Sequence, residues 1–208
     1  AFSEQEIKPR HRRFEELLDD PRRRYQADGS LSPEVRDLVN QVRSSSAAAG
    51  FYQMCVPEEL GGGGLGHLAY YVAWQALFHD CGPQNWLMLY ALAHWAFGPS
   101  RLLEQITAPA RDRYLPGLMD GSKSMCFALS EPNAGSDASM ITTRARKDGD
   151  GWRIDGRKIW TSNAPIADYC VLFAVTDTEA AADKKGGIST FIVPTESAGF
   201  TVQRVIKL

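Results

Sequence analysis

The stretch "MCFALSEPNAGSD", residues 125–137, sets an apolar run directly against a polar turn. Pro132, Asn133 and Gly135 are residues typical of turns, and Asn133 and Gly135 both tolerate left-handed backbone conformations. Successive N–H groups can therefore point into one concavity that holds an anion, with the Ser136 hydroxyl at its edge. From these residues alone, the stretch is either a plain turn between strands or a turn shaped to hold a ligand.

The spacing of apolar residues changes near Gly121. Before it they recur at helical intervals, and we predict helices for 33–50, with Ser32 as the capping residue, and for His67–Asp80, Pro83–Phe97 and Ala108–Met119. After it come short runs of strand-forming residues, which are Met125–Ser130, Gly151–Asp155, Lys158–Ser162, Tyr169–Thr176 and Ser189–Pro194. The order predicts an α+β chain: an all-helical domain, residues 1–121, followed by an antiparallel β-barrel or sandwich domain, residues 122–208.

Composition excludes several classes of protein. A net charge of −2 over 208 residues offers no basic face for nucleic acid. The four cysteines form no CxxC pair and no metal-binding spacing, and no apolar stretch approaches the roughly 20 residues that cross a bilayer. The N-terminus lacks the layout of a signal peptide. We therefore expect a soluble protein of the cytoplasm, or of the mitochondrial matrix in a eukaryote, without a metal site.

A second polar turn follows Trp160, in "GWRIDGRKIWTSNAPIADYCVLFAVT", residues 151–176. There the indole precedes two hydroxyls and an amide, which belong to Thr161, Ser162 and Asn163. An aromatic plane beside short hydrogen-bonding groups suits a flat heteroaromatic ring, although, taken alone, a core tryptophan at a strand end is the better interpretation of Trp160. A glycine-rich loop, "VPEELGGGGLG" (56–66), precedes a helix as phosphate loops do, but it follows no strand and lacks the P-loop ending, so a turn between helices is the simpler interpretation.

Together, the two stretches resemble the signature region of the acyl-CoA dehydrogenase family, and the glycine-rich loop resembles that family's loop between early helices. The resemblance implies that the helical and β-domains jointly bind FAD and acyl-CoA. It carries cofactor-binding roles over to these positions: Phe127, Leu129, Ser130, Ser136, Trp160 and Ser162.

The resemblance also suggests what these positions contact. Ser130 would face the pyrimidine side of the flavin, Trp160 its ring plane, and Ser162 its N5 edge. Ser136 would lie near the cofactor pyrophosphate and the CoA side of the cleft, and is therefore also a substrate-binding candidate. His94 falls near the position where relatives line the acyl end of the cleft, although a core histidine is at least as good an interpretation.

The implied reaction is α,β-dehydrogenation of an acyl-CoA thioester to trans-2-enoyl-CoA, with electrons passed to an electron-transfer flavoprotein or a similar acceptor. Because the family's catalytic base is normally a Glu of a C-terminal helical domain, we assign no catalytic residue and expect the 208-residue chain to be a weakly active or inactive fragment. Complete members are usually homodimers or homotetramers. Two alternatives stay open: a flavin-dependent oxidase or monooxygenase of the same fold, and a non-catalytic flavin- or CoA-binding or assembly module.

Overall fold

The computed structural model of the chain describes residues 1–205, which divide into two units. Ala1–Ser124 form the body of the first unit and Met125–Val202 form the second. Residues 206–208, which the sequence assigns to the β-domain, lie outside the described residues.

The first unit is helical. Its α-helices are α1 (Lys8–Arg13), α2 (Glu15–Leu18), α3 (Pro21–Arg24), α4 (Pro33–Ala48), α5 (Gly66–Cys81) and α6 (Ala108–Met119). A π-helical turn, Ser3–Ile7, precedes them, and short 3-10 turns lie at Glu58–Leu60, Trp86–Tyr90 and Arg101–Leu103. The predicted helices at α4, α5 and α6 are confirmed to within two residues at each end.

Helix α4 shows why the periodic pattern is informative. It begins at Pro33, whose fixed φ suits the first helical position, and it buries Val35, Leu38, Val39 and Val42 along one side. The preceding Ser32 makes no side-chain cap hydrogen bond, so that detail of the prediction is wrong. The burial of one apolar stripe therefore accounts for this helix without the cap.

The helix predicted for Pro83–Phe97 is wrong. Only Trp86–Tyr90 is helical, as a 3-10 turn, and the buried Asn85 side chain accepts a hydrogen bond from the N–H of Met88 at 3.3 Å. Farther along, the Ala93 N–H donates to the Tyr52 carbonyl at 2.9 Å, and the Ser46 hydroxyl donates to the Ala91 carbonyl. Because these bonds to distant residues use the backbone groups that an α-helix needs, the apolar segment folds irregularly.

Helix α5 forms as predicted but lies on the surface of this chain. None of its residues is buried, and Leu68, Tyr71 and Val72 are largely exposed. A helix this apolar is typical of an interior or an interface.

The second unit contains a five-stranded mixed sheet built from β1 (Met125–Ala128), β2 (Arg144–Asp148), β3 (Gly151–Asp155), β4 (Tyr169–Val175) and β5 (Ile188–Pro194). A short helix, α7 (Thr178–Ala182), connects the last two strands, and a 3-10 turn lies at Ala138–Met140. The strand order is β1-β4-β2-β3, with β5 paired to the other side of β4.

The predicted antiparallel β-barrel or sandwich is therefore wrong in its topology. Strands β2/β3 and β4/β5 are antiparallel, but β1 and β2 both run parallel to β4, and no pairing among the described strands closes the sheet. Strand-forming composition predicts β3, β4 and β5 but misses β2, which forms a hairpin with β3. It also contains no information about the partner of β1, which pairs with β4 across the whole β2–β3 insertion.

The core of the second unit lies on and around β4. Cys126 and Ala128 of β1 pack against Cys170 of β4 and Ala167, all of them buried. The four cysteines are free. Within residues 1–205, no helix combines the length and the apolar character needed to span a bilayer.

Candidate functional site

The turn that follows β1 is closed by a small antiparallel bridge. The N–H of Glu131 donates to the Ala134 carbonyl at 2.9 Å, and the N–H of Ala134 returns a bond to the Glu131 carbonyl at 3.1 Å. In the described chain no protein acceptor meets the N–H groups of Gly135 and Ser136, so both are open to a ligand. Neither Asn133 nor Gly135 has a positive φ, however, so the left-handed nest that we expected there does not form.

Glu131 is buried, with only 3% of its side chain exposed. One carboxylate oxygen, Oε2, accepts from the N–H and the hydroxyl of Thr142 at 2.6 and 2.7 Å. The other, Oε1, accepts from the N–H of Thr143 at 2.9 Å and from the ammonium of Lys158 at 2.8 Å. Burial by itself raises the pKa of Glu131, but these hydrogen bonds outweigh it and lower the pKa to about 2. The carboxylate is therefore an ionised structural acceptor.

Lys158 is the other half of this ion pair, and only 8% of its side chain is exposed. Besides Glu131, its Nζ donates to the Leu129 carbonyl at 3.0 Å. The next residue, Ile159, donates its N–H to the Ser130 carbonyl at 2.9 Å. Two consecutive residues of one segment thus bind two consecutive residues of the turn after β1.

Trp160 directly follows this attachment and is presented to solvent. Its φ is 58°, and 71% of its surface is exposed. A left-handed conformation costs a residue other than glycine about 1 kcal/mol or more. An exposed indole also lacks the hydrophobic stabilisation that burial of its ring would give. Since neither feature stabilises this chain by itself, Trp160 is the best candidate for a residue displayed to a ligand.

The strand predicted for Lys158–Ser162 is therefore wrong, and Trp160 does not close a strand. Among the described residues, the one backbone–backbone hydrogen bond from this segment to another segment is that of Ile159 to Ser130. The turn that follows, in which Ala167 donates to the Asn163 carbonyl at 2.9 Å, begins with a second positive φ at Asn163. The β-branched and aromatic letters "KIWTS" fit a strand by composition. Tertiary bonds to the turn after β1 override that local preference.

The remaining predicted residues of the second unit lie close to these attachments in sequence. The Phe127 ring meets Phe173 edge-on at 5.2 Å between centroids, and Leu129 packs on the buried cluster that contains Ala134 and Ile141. Ser136 and Ser162 are exposed, each in a turn. The structure therefore brings the chain segments of Ser130 and Trp160 together through one direct backbone hydrogen bond, from Ile159 to Ser130.

Two residues that support this junction are absent from the predicted site. Lys158 falls in the predicted strand Lys158–Ser162, and the sequence analysis assigns no role to Gly156. A Cβ on Gly156 would lie 2.3 Å from the Thr143 hydroxyl and 2.7 Å from the Thr143 Cα, so only glycine allows the chain to pass so close. No local signal identifies either residue, because both act through contacts with segments distant in sequence.

His94 belongs to the first unit. Its ring stacks on Phe97 at 4.7 Å between centroids, and its Nδ1 accepts from the N–H of Ala96 at 3.2 Å. Burial lowers the pKa of His94, which favours the neutral ring. These contacts fit the core-histidine interpretation and leave a substrate role to be tested.

The glycine-rich loop of the first unit is a structural turn. The N–H groups of Gly62, Gly63, Gly64 and Leu65 all donate to backbone carbonyls, at 2.9–3.1 Å. A Cβ on Gly62 would lie 2.2 Å from the Val56 carbonyl oxygen, which explains the need for glycine. Because the N–H groups of Gly62–Leu65 are already used, none of these four is available to a phosphate.

Among the described residues, no group of three or more His, Cys, Asp or Glu side chains is arranged to hold a metal ion. The second unit provides an exposed aromatic plane, nearby hydroxyls and open backbone N–H groups, supported by the Glu131–Lys158 ion pair. Such a surface can bind and orient a planar polar molecule.

Comparison with known proteins gives a consistent result. Residues 1–122 match the family model of the acyl-CoA dehydrogenase N-terminal domain, and residues 126–207 match that of the acyl-CoA dehydrogenase middle domain.

Two curated relatives illustrate the similarity. The chain is 39% identical over 153 residues to the mitochondrial short-chain specific acyl-CoA dehydrogenase of Homo sapiens, which covers 74% of this chain and 36% of that protein. It is 33% identical over 185 residues to the caffeyl-CoA reductase-Etf complex subunit CarC of Acetobacterium woodii, covering 85% and 47%.

Among solved structures, the acyl-CoA dehydrogenase complexed with FAD from Bacillus anthracis aligns with a TM-score of 0.62 at 25% identity, over 95% of this chain and 30% of that chain. The chain thus spans less than half the length of each of these relatives. On the strength of the two domain models and the identities, the chain belongs to the acyl-CoA dehydrogenase family.

Proposed function

We propose that this chain is the N-terminal and middle portion of an FAD-dependent acyl-CoA dehydrogenase that converts an acyl-CoA thioester to its trans-2-enoyl product. The observation that carries the proposal is the attachment of the Trp160 segment to the turn after β1 through the Ile159–Ser130 hydrogen bond. It supports a flavin site because the exposed indole and the Ser130 hydroxyl belong to segments that meet. Those are the two kinds of contact that a flavin ring needs.

In this proposal the flavin, when bound, supplies the hydride acceptor. Trp160 would contact its ring, and Ser130 and Ser162 would offer hydroxyls to its polar edges, with Phe127 and Leu129 lining the strand end. Ser136, whose N–H is open, would bind the pyrophosphate or the CoA side. His94 is the proposed contact for the acyl group.

The catalytic base is not among these residues. Glu131, the carboxylate of the motif, is buried and accepts four hydrogen bonds, so it has no free position for a substrate proton. We propose that the carboxylate that removes the α-proton lies outside these 208 residues. Alone, the chain would then bind the cofactor with little or no turnover.

Partners and location follow from the same proposal. The substrate would be an acyl-CoA, and the electron acceptor an electron-transfer flavoprotein, a partner consistent with the name of the A. woodii relative. The complete protein would be a homodimer or homotetramer, and the exposed apolar side of α5 supports association because it offers Leu68, Tyr71 and Val72 to a partner surface. The cytoplasm, or the mitochondrial matrix in a eukaryote, is the proposed compartment.

Anaerobic addition of acyl-CoA to the FAD-loaded protein that carries this chain tests the function. We expect loss of the visible flavin absorbance as the cofactor is reduced. Persistence of that absorbance with straight and branched acyl-CoAs of every length tried would count against dehydrogenation. Rapid reaction of the reduced flavin with oxygen would instead favour the oxidase or monooxygenase alternative.

A further inference from the structure

The Glu131–Lys158 ion pair joins three separate segments of the second unit. Glu131 belongs to the turn after β1, its carboxylate is held by the residues that precede β2, and Lys158 follows β3. Lys158 also donates to the Leu129 carbonyl, so the ion pair and this bond both anchor the Lys158 segment on the turn. The next residue repeats the attachment through the Ile159–Ser130 bond.

This anchoring acts one residue before a strained position. Trp160 has a positive φ and an exposed ring, so its own side chain provides little burial to hold it in place. A left-handed residue persists only where its surroundings determine its conformation. The described contacts that fix the preceding backbone are the Lys158 and Ile159 bonds.

Stability alone is a poor reason for such a pair. Removing two charges from water offsets most of what their attraction gains, and buried pairs can often be replaced by uncharged residues of similar volume without loss of stability. Apolar residues of similar volume, however, cannot donate the hydrogen bond that Lys158 makes to the Leu129 carbonyl. The pair is therefore best explained by the geometry that it imposes.

We propose that the Glu131–Lys158 pair is a positioning device that fixes the Ile159–Trp160 backbone against Ser130 and so orients the Trp160 indole toward the flavin. The second half of this statement rests on the proposed function, whereas the first half does not. Glu131 and Lys158 act through Trp160 and do not themselves contact the cofactor.

The first test needs no cofactor. In the double variant Glu131→Gln/Lys158→Met, we expect the Ile159 amide to exchange its hydrogen at least about tenfold faster, because loss of a buried charged hydrogen bond loosens the attachment. Amides of β4 serve as the reference for global stability. Unchanged protection of Ile159 would overturn the inference whether or not the protein binds FAD. If the double variant does not fold, Glu131→Gln alone carries the same test.

The second test uses FAD fluorescence. At saturating FAD, the indole of the parent protein should quench the flavin, and the double variant should leave the bound flavin at least twofold brighter, with affinity weaker by about tenfold. A purely structural pair would lower stability without changing the quenching of bound flavin, and that outcome would contradict the orienting role. If the parent itself does not bind FAD, the proposed function is contradicted. The hydrogen exchange rate of the Ile159 amide would still show whether the ion pair holds the segment in place.

A matched control is available in the same unit. Arg153 and Asp148 form an exposed ion pair at 3.1 Å on the β2–β3 hairpin. The variant Asp148→Asn/Arg153→Met removes the same number of charges at the surface and should leave both Ile159 exchange and flavin quenching unchanged. An equal effect of the control would show that loss of charge, and not loss of this pair, is responsible.

Discussion

At the scale of single residues, the Glu131 carboxylate makes the free energy of unfolding depend on pH. It is ionised and fully hydrogen-bonded in the folded chain, and its pKa of about 2 lies below the usual 4.5. A carboxylate with a lowered folded pKa contributes stability above its unfolded pKa, and that contribution is lost as the pH falls through the folded value. Glu131 is thus a source of acid sensitivity in the second unit.

The variant Glu131→Gln tests this linkage. The parent should lose on the order of 3 kcal/mol of unfolding free energy relative to the variant between about pH 4.5 and pH 2, with a constant difference above that window. Urea unfolding of both proteins across the pH series measures it. Parallel stability curves for the two proteins would contradict the assigned pKa.

Gly156 allows a close backbone crossing that supports the same site. The variant Gly156→Ala should destabilise the second unit by about 1–3 kcal/mol, since the new Cβ would meet the Thr143 backbone at 2.7 Å. Gly151→Ala is the matched control, because its Cβ would meet nothing closer than 3.7 Å. Urea midpoints compare the two, and equal midpoints would refute the steric argument.

The sequence predicts some residues of the candidate site but not the contacts that position them. The two sequence motifs predict Ser130 and Trp160 as site residues, and their segments do meet. The positive φ of Trp160 and the role of Lys158 could not be predicted, because both depend on contacts between segments distant in sequence. Local propensity favours a strand at "KIWTS", and tertiary hydrogen bonds override it.

At the scale of elements, β4 organises the second unit, because β1, β2 and β5 all pair with it. Strand composition predicted β3, β4 and β5 closely but missed β2. It could not predict that β1 pairs in parallel with β4, since non-local pairing leaves no short-range signal. The failure at Pro83–Phe97 is of a different kind: a continuous apolar run has no period that separates a helix from buried irregular chain.

The buried end of β1 can be tested by one substitution. Met125 is 0% exposed in this strand, and Met125→Ala should cost about 2–5 kcal/mol of unfolding free energy. Met140→Ala, at a position 55% exposed in the same unit, should cost less than about 0.5 kcal/mol. Chemical denaturation of both variants gives the comparison, and similar losses would place the core elsewhere.

At the scale of the whole molecule, the chain combines two recognisable domains of one family. The change from helical to strand-like spacing and the paired motifs predicted this α+β organisation, and the family models match residues 1–122 and 126–207. The family's flavin chemistry comes to this chain as a proposal carried by the geometry of the second unit. The main claim of the proposal is that the exposed indole of Trp160 contacts the flavin.

Titration of FAD into the protein that carries this chain, followed by flavin fluorescence, tests this role of Trp160 most directly. The parent and Trp152→Leu, which removes another partly exposed indole of the same unit, should bind FAD alike. Trp160→Leu should weaken binding by about tenfold, because stacking on an indole is worth up to about 1.5 kcal/mol. Equal affinity of Trp160→Leu and the parent for FAD would contradict the account.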